Sequence, residues 1–203
     1  MTTSSSLVHP ELVEGANAKL RERFDSLPDK LRAHIFRVRD VGLDLAARHG
    51  IDEERAELAI LGHDVARAAK KKEILRQADR FELPLLDIER KAPITLHGPV
   101  GAELLRHEDG LDDEEILDAV RFHTTGHPRL TPLGLLVFIA DKLDPNKIKS
   151  YPYQQELRHV ANESLHQAVL EFLCRESALR LQRRRPVHPA SVSTINALLL
   201  GSG

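Results

Sequence analysis

Apolar residues along this chain recur at spacings of three and four, the pattern of helices that bury one face. From about 28 to 48, the stripe His34, Val38, Val41, Leu45 predicts a helix, with Pro28 in its first turn and Gly50 as its stop. Asp52 is a suitable N-cap for a second helix, where Glu53 and Glu54 favour the positive end and Ala56 and Ile60 lead to His63. The basic stretch 67–72 leads into a helix over about 73–81, which Pro84 interrupts, and a short segment over 85–91 follows. His97-Gly98-Pro99 opens the next helix, which ends near His107, before Gly110. Asp112 or Asp113 caps another, with Ile116, Val120 and His123 in register and Thr124-Thr125-Gly126 at its end. Thr131-Pro132 opens the most apolar helix, over 133–142, and helices over about 154–159, 162–183 and 190–200 complete the chain. No alternating β-branched run or Asn-Gly hairpin marks a strand. The expected fold is all-α, a compact helical bundle with short connections. A flexible, Ser-rich lead over 1–15 precedes a single domain over 16–203.

Composition narrows the partners. The 203 residues suit one domain with a sizeable core. A formal net charge of −2 gives no global basic surplus, so neither nucleic acid nor an anionic membrane is expected as a partner. The one cysteine, Cys174, excludes an intrachain disulfide and a thiolate zinc cage. Residues 1–6 lack the basic start and apolar run of a signal peptide, and the longest apolar run, 133–140, is far short of the ~20 residues of a membrane span. Cytoplasmic location is therefore the default. A homodimer is open.

Histidine changes the picture: there are 11, against two tyrosines and no tryptophan. A lone helical histidine is more often packed or half-exposed than a ligand. That reading covers His9, His49, His107, His159 and His166. Six other positions form an ordered set in which each residue lies near a helix end or on a core-facing stripe: His34, His63-Asp64, His97, His123 and Asp141. Asp141 ends the most apolar helix, where an unpaired ionised carboxylate costs several kcal/mol. A cation would remove that cost. Four imidazoles and two carboxylates suit iron, manganese, cobalt or zinc. Adjacent helical residues point ~100° apart, so His63 and Asp64 can reach one ion from two sides while Asp64 bridges to a second. Two divalent ions against two carboxylates leave roughly two positive charges, which favours an anion with several oxygens. Paired metals also activate a shared water for attack on phosphorus.

The order of these residues resembles the HD-domain superfamily of phosphohydrolases and, in detail, the bacterial YqeK family. The resemblance is carried by Leu61-Gly62-His63-Asp64-Val65-Ala66-Arg67, Leu96-His97-Gly98-Pro99-Val100-Gly101-Ala102, Arg121-Phe122-His123-Thr124-Thr125-Gly126 and Phe138-Ile139-Ala140-Asp141 through Pro145. It implies an HD-type helical bundle and a di-iron site with ligands His34, His63, Asp64, His97, His123 and Asp141. It further implies symmetrical hydrolysis of diadenosine tetraphosphate to two ADP by a metal-activated hydroxide. His63, Asp64 and Arg67 are the expected catalytic residues. Arg67, Arg37, Thr125, Gly126 and Lys147 are the expected substrate contacts.

Two departures from the family pattern fall on the substrate side. Leu31 stands where the family has arginine, with Arg32 one residue off. Asp144-Pro145-Asn146-Lys147 replaces Glu-Pro-Gly-Arg, and lysine lacks the bidentate fork of arginine. Tyr151, Tyr153 and Phe122 are among the few aromatics available to stack on a base, and His127 could supply a leaving-group proton. The alternatives are a phosphomonoesterase or cyclic-nucleotide hydrolase on the same site, and a non-catalytic helical module that senses nucleotides or binds a partner.

Overall fold

Helix boundaries in the computed structural model, which describes residues 16–201, follow the caps in the sequence. The lead over 1–15, with His9 in it, lies outside the described residues. The helices are α1 (Ala16–Asp25), α2 (Asp29–His49), α3 (Glu53–Gly62), α4 (Lys71–Arg80), α5 (Asp87–Lys91), α6 (His97–Leu104), α7 (Glu114–Phe122), α8 (Pro132–Lys142), α9 (Gln154–Glu163), α10 (Leu165–Gln182) and α11 (Pro189–Leu199). No strand occurs among the described residues, and the fold is the expected all-α bundle.

The side chains of Asp52, Asp113 and Thr131 accept from backbone N–H groups at the starts of α3, α7 and α8. Helix α2 ends at Gly50 as expected. Four boundaries differ from the pattern. Pro28 is the N-cap of α2 rather than part of its first turn. Part of the basic stretch forms the first turn of α4, which therefore starts at Lys71. The helix opened by His97 tightens no further than Leu104 and then widens into a π turn over Leu105–Asp109. The break between α9 and α10 falls at Ser164, whose hydroxyl caps the N–H of Gln167, a capping signal the apolar spacing did not reveal.

Helix α8 is the axis of the bundle. Every residue from Leu133 to Lys142 is buried, as an all-round apolar helix requires. It packs against α2, α3, α7 and α10. Buried Gln154, at the start of α9, donates from Nε2 to the carbonyls of Lys142 and Asp144, at 2.9 and 2.8 Å. This satisfies backbone oxygens just where α8 ends and anchors the segment that carries Asp141 and Asp144.

Gly98 brings α6 against the C-terminal end of α7. A Cβ at Gly98 would lie 2.8 Å from the carbonyl oxygen of Arg121 and 2.9 Å from that of Val120. Only glycine permits this approach, and it juxtaposes His97 and His123.

Candidate metal centre

The six expected positions come together where α2, α3, α6, α7 and α8 converge. His63, Asp64, His97, His123 and Asp141 are buried, and His34 is nearly so. Three of the imidazoles are oriented in one way. Nδ1–H of His63 donates to the carbonyl of Ile60 (2.6 Å), that of His97 to Ile94 (2.5 Å) and that of His123 to Val120 (2.7 Å). Each residue lies at a helix boundary, where the carbonyl three residues earlier is available. A carbonyl can only accept, so each Nδ1 carries hydrogen and each neutral Nε2 presents a lone pair to the centre.

His34 is oriented differently, because it lies inside α2 where the local carbonyls are engaged in the helix. Its Nδ1 meets Asp144 Oδ2 at 2.5 Å. Asp144 is 2% exposed and accepts a bidentate pair from Arg37, at 2.7 and 3.0 Å. Burial opposes charge on Asp144, but Arg37 and His34 outweigh it and bring its pKa down to about 2. His34 Nε2 then faces Asp141 Oδ1 at 3.1 Å and Asp64 Oδ2 at 3.6 Å.

Asp64 sits between two groups of nitrogens. Its Oδ2 lies 3.6 Å from the Nε2 atoms of both His34 and His63. Its Oδ1 lies 3.0 Å from Nε2 of His97 and 3.6 Å from that of His123. The donor atoms of His34, His63 and Asp141 lie within 4.8 Å of one another, as do those of His63, Asp64 and His123.

The chemistry of this donor set fits cations. Nε2 of His63 is buried without a hydrogen-bond partner, and Nε2 of His97 and His123 face each other at 2.9 Å. With both Nδ1 atoms protonated, two neutral rings would oppose their lone pairs there. Burial lowers the pKa of His63 and drops that of His123 to about 4, so these rings resist protonation. Burial would raise Asp64, yet His63, His123 and His97 hold it well below the usual carboxylate range, an effect that requires positive charge at their Nε2 atoms, as a bound cation would supply. Burial would likewise raise Asp141, and Lys142, His34 and Lys147 hold it down. Burial also opposes charge on His34, but Asp141 and Asp144 outweigh it and raise its pKa. Ionised carboxylates beside the neutral imidazoles of His63 and His123 make a site for first-row divalent ions.

The expected substrate contacts are more dispersed. Arg67 is exposed and lines a cavity of about 400 Å³ together with Leu31, His34, Asp64 and Lys147. Lys147 Nζ reaches Asp141 Oδ1 at 2.5 Å and its backbone oxygen at 2.9 Å. Arg37 makes its bonds to Asp144 and to the carbonyl of Ala33, so it braces the cluster from behind. Thr125 lies beyond Thr124 and gives its carbonyl to Ser191. Gly126 has φ +76° and packs against Thr194, with a Cβ there only 2.7 Å from Oγ1. Arg32 turns away to Asp29 and does not replace an arginine at Leu31. His127 stacks on Phe122 at 4.3 Å and lines neither this cavity nor the one beside Thr124.

Three residues escaped the sequence reading. Asp144 reads as part of an Asp-Pro turn, although an acidic residue there matches the acidic residue of the family pattern. Thr124 rather than Thr125 touches the cluster, its Oγ1 lying 3.1 and 3.3 Å from Nε2 of His123 and His97. Lys142, 7% exposed, places Nζ 2.6 Å from Asp141 Oδ2. The histidines read as structural stay outside: His49 bonds the carbonyl of Ala161, His107 stacks on Phe81 and His159 pairs with Glu163.

A helical bundle that gathers His, His-Asp, His, His and Asp around one centre defines a class. Residues 31–146 match the HD-domain family, and the chain belongs to it. It is similar to the protein named symmetrical bis(5'-nucleosyl)-tetraphosphatase of Halalkalibacterium halodurans, with 36% identity over 82% of this chain and 88% of that one. The protein of the same name from Bacillus subtilis is 34% identical over 83% of this chain and 89% of its own length. A solved structure titled a predicted HD superfamily hydrolase involved in NAD metabolism, from Clostridium acetobutylicum, superposes with a TM-score of 0.84 at 28% identity. That match covers 91% of this chain and 97% of the other. Among the described residues, no helix is long and apolar enough to cross a membrane.

Proposed function

We propose that this protein hydrolyses dinucleoside tetraphosphates symmetrically, converting diadenosine tetraphosphate to two ADP. The observation that carries the reading is the position of Asp64, with one oxygen facing His34 and His63 and the other facing His97 and His123. Relatives named for this activity, similar over most of their length, support the choice of substrate.

His34, His63, Asp64 Oδ2 and Asp141 would hold one cation, and Asp64 Oδ1, His97 and His123 a second, with iron the expected metal. Such a pair lowers the pKa of a shared water and offsets charge on phosphoryl oxygens. The chain's own residues supply the rest. Asp144 and Arg37 hold the His34 ring in one tautomer. Arg67, exposed at the mouth, clamps phosphate oxygens with its planar guanidinium. Lys147 shares that cavity, and its ammonium, held at Asp141 Oδ1, would offer charge to a phosphoryl oxygen of the substrate. Thr124, at the imidazole side, offers a hydroxyl to a phosphoryl oxygen.

Chromatographic analysis of products from diadenosine tetraphosphate, with iron or manganese and after chelation, tests the reading. ADP alone, lost on chelation, is expected. ATP plus AMP would refute symmetrical cleavage. Release of inorganic phosphate from mononucleotides in preference would favour a phosphomonoesterase.

A further inference from the structure

Helix α8 is apolar from Leu133 to Ala140 and buried throughout, yet it ends on a buried lysine. An ammonium there costs more to desolvate than a methionine of similar length, so stability alone does not account for Lys142. Its partners show what the charge does. Nζ donates to Asp141 Oδ2 at 2.6 Å and to the carbonyl of His123 at 3.3 Å. It lies 4.9 Å from the ring centroid of Phe138 and 5.8 Å from that of Phe172, and aromatic rings attract a cation. The lysine is fixed at its other end as well, since Gln154 holds its backbone carbonyl. The imidazoles of His34 and His63 lie instead against Oδ1 of Asp141, at 3.1 and 3.8 Å. His123 caps the end of α7, where carbonyls lack an intrahelical partner.

We infer that Lys142 is a positioning residue of the metal centre. By holding Asp141 Oδ2 and the His123 carbonyl at once, it turns Asp141 Oδ1 towards the cation and keeps the two groups of ligands in register. This role rests on the metal centre of the proposed function and is independent of the substrate. The two groups, His34–His63–Asp141 and His63–Asp64–His123, draw on the ends of different helices. Asp141 lies at the end of α8 and His123 at the end of α7, and the Lys142 ammonium is bonded to both. Lys147 differs, because its Nζ meets Oδ1, the oxygen a cation needs, at 2.5 Å. The sign of the effect separates orientation from charge. A positive charge by itself repels a cation, so its removal would tighten metal binding. Loss of a partner that orients a ligand loosens it.

The test is chelator competition for manganese with the wild type, Lys142→Met, Asp141→Asn and the double variant, alongside absorption spectra of the cobalt-loaded proteins. Circular dichroism checks that each is folded. Lys142→Met keeps a flexible side chain of similar length, and manganese affinity is expected to fall about 10–100-fold. The cobalt spectrum should change with it, as Asp141 loses its fixed orientation. In the Asp141→Asn background the same substitution should change affinity by less than about twofold, because the carboxylate it orients is gone. Equal losses in both backgrounds mark a packing defect and overturn the role, as do an unchanged cobalt spectrum and tighter or unchanged binding in Lys142→Met. If Lys142→Met fails to fold, Lys142→Gln, too short to span both partners, gives the same comparison. A wild type that binds no manganese refutes the metal centre and this role together. Wild-type affinity in Lys142→Met refutes the role alone and leaves the centre standing.

Discussion

The His34 side of the cluster and the His63–His97–His123 side present similar nitrogen atoms to the centre but hold them by different means. The three imidazoles use the carbonyl three residues earlier in their own chain, so a helix end orients each ring. His34 sits within a continuous helix and takes its partner, Asp144, from 110 residues away. Asp144 in turn depends on Arg37, one helical turn beyond His34. One side is therefore wired locally and resists single substitutions, because its acceptors are backbone. The other passes through two replaceable side chains.

The largest expected effect comes from the residue both sides share. Asp64→Ala removes both inward oxygens, so bound metal and turnover should fall by more than the roughly 10–100-fold that outer partners cost. Metal analysis alongside product assays checks this, and unchanged turnover would remove the cluster from the chemistry. Asp144→Asn comes next, with metal affinity about 10–100-fold weaker, and Asp144→Glu should restore part of it. If a chelator competition gives wild-type affinity for Asp144→Asn, the His34 side is not held as described. Gly98→Ala attacks the locally wired side through the backbone. Its methyl would meet the carbonyls of Val120 and Arg121, and a loss of about 1–3 kcal/mol in urea unfolding is expected.

The smallest effect is in the pH dependence of the metal-free protein. Asp144 has a folded-state pKa of about 2, below its ordinary value near ~3.9, so the stability it contributes is present above that value and lost as pH falls towards 2. Urea midpoints of wild type and Asp144→Asn should therefore differ most near neutrality and converge in acid. A gap that widens on acidification would contradict the sign.

Legibility in the sequence followed the same division. Asp52, Asp113 and Thr131 announced their helices because a cap acts on N–H groups two or three residues away. Ser164 is also a cap, yet the apolar spacing shows no break there, so the sequence pattern divides α9 from α10 too early in the chain. The six clustered residues were readable because each carries an unusual side chain at a helix end or on a buried stripe. Arg37 reads as a substrate contact because its charge is visible in the sequence, whereas its bond to Asp144 spans 107 residues.

The sequence by itself determined the helices, the donor set and the family, since these depend on local periodicity, on side-chain chemistry and on the order of motifs. Only the tertiary structure decided which oxygen of Asp64 faces which imidazoles, that Asp144 rather than a carbonyl holds His34, and that Thr124 rather than Thr125 touches the rings. It alone showed a second cavity lined by residues as far apart in the chain as Ile88, Thr124, Tyr151 and His188. These are relations between segments far apart in the chain. The close packing of α2, α3, α6, α7 and α8 sets them, with Gly98 allowing the nearest approach, and no short window of residues contains them.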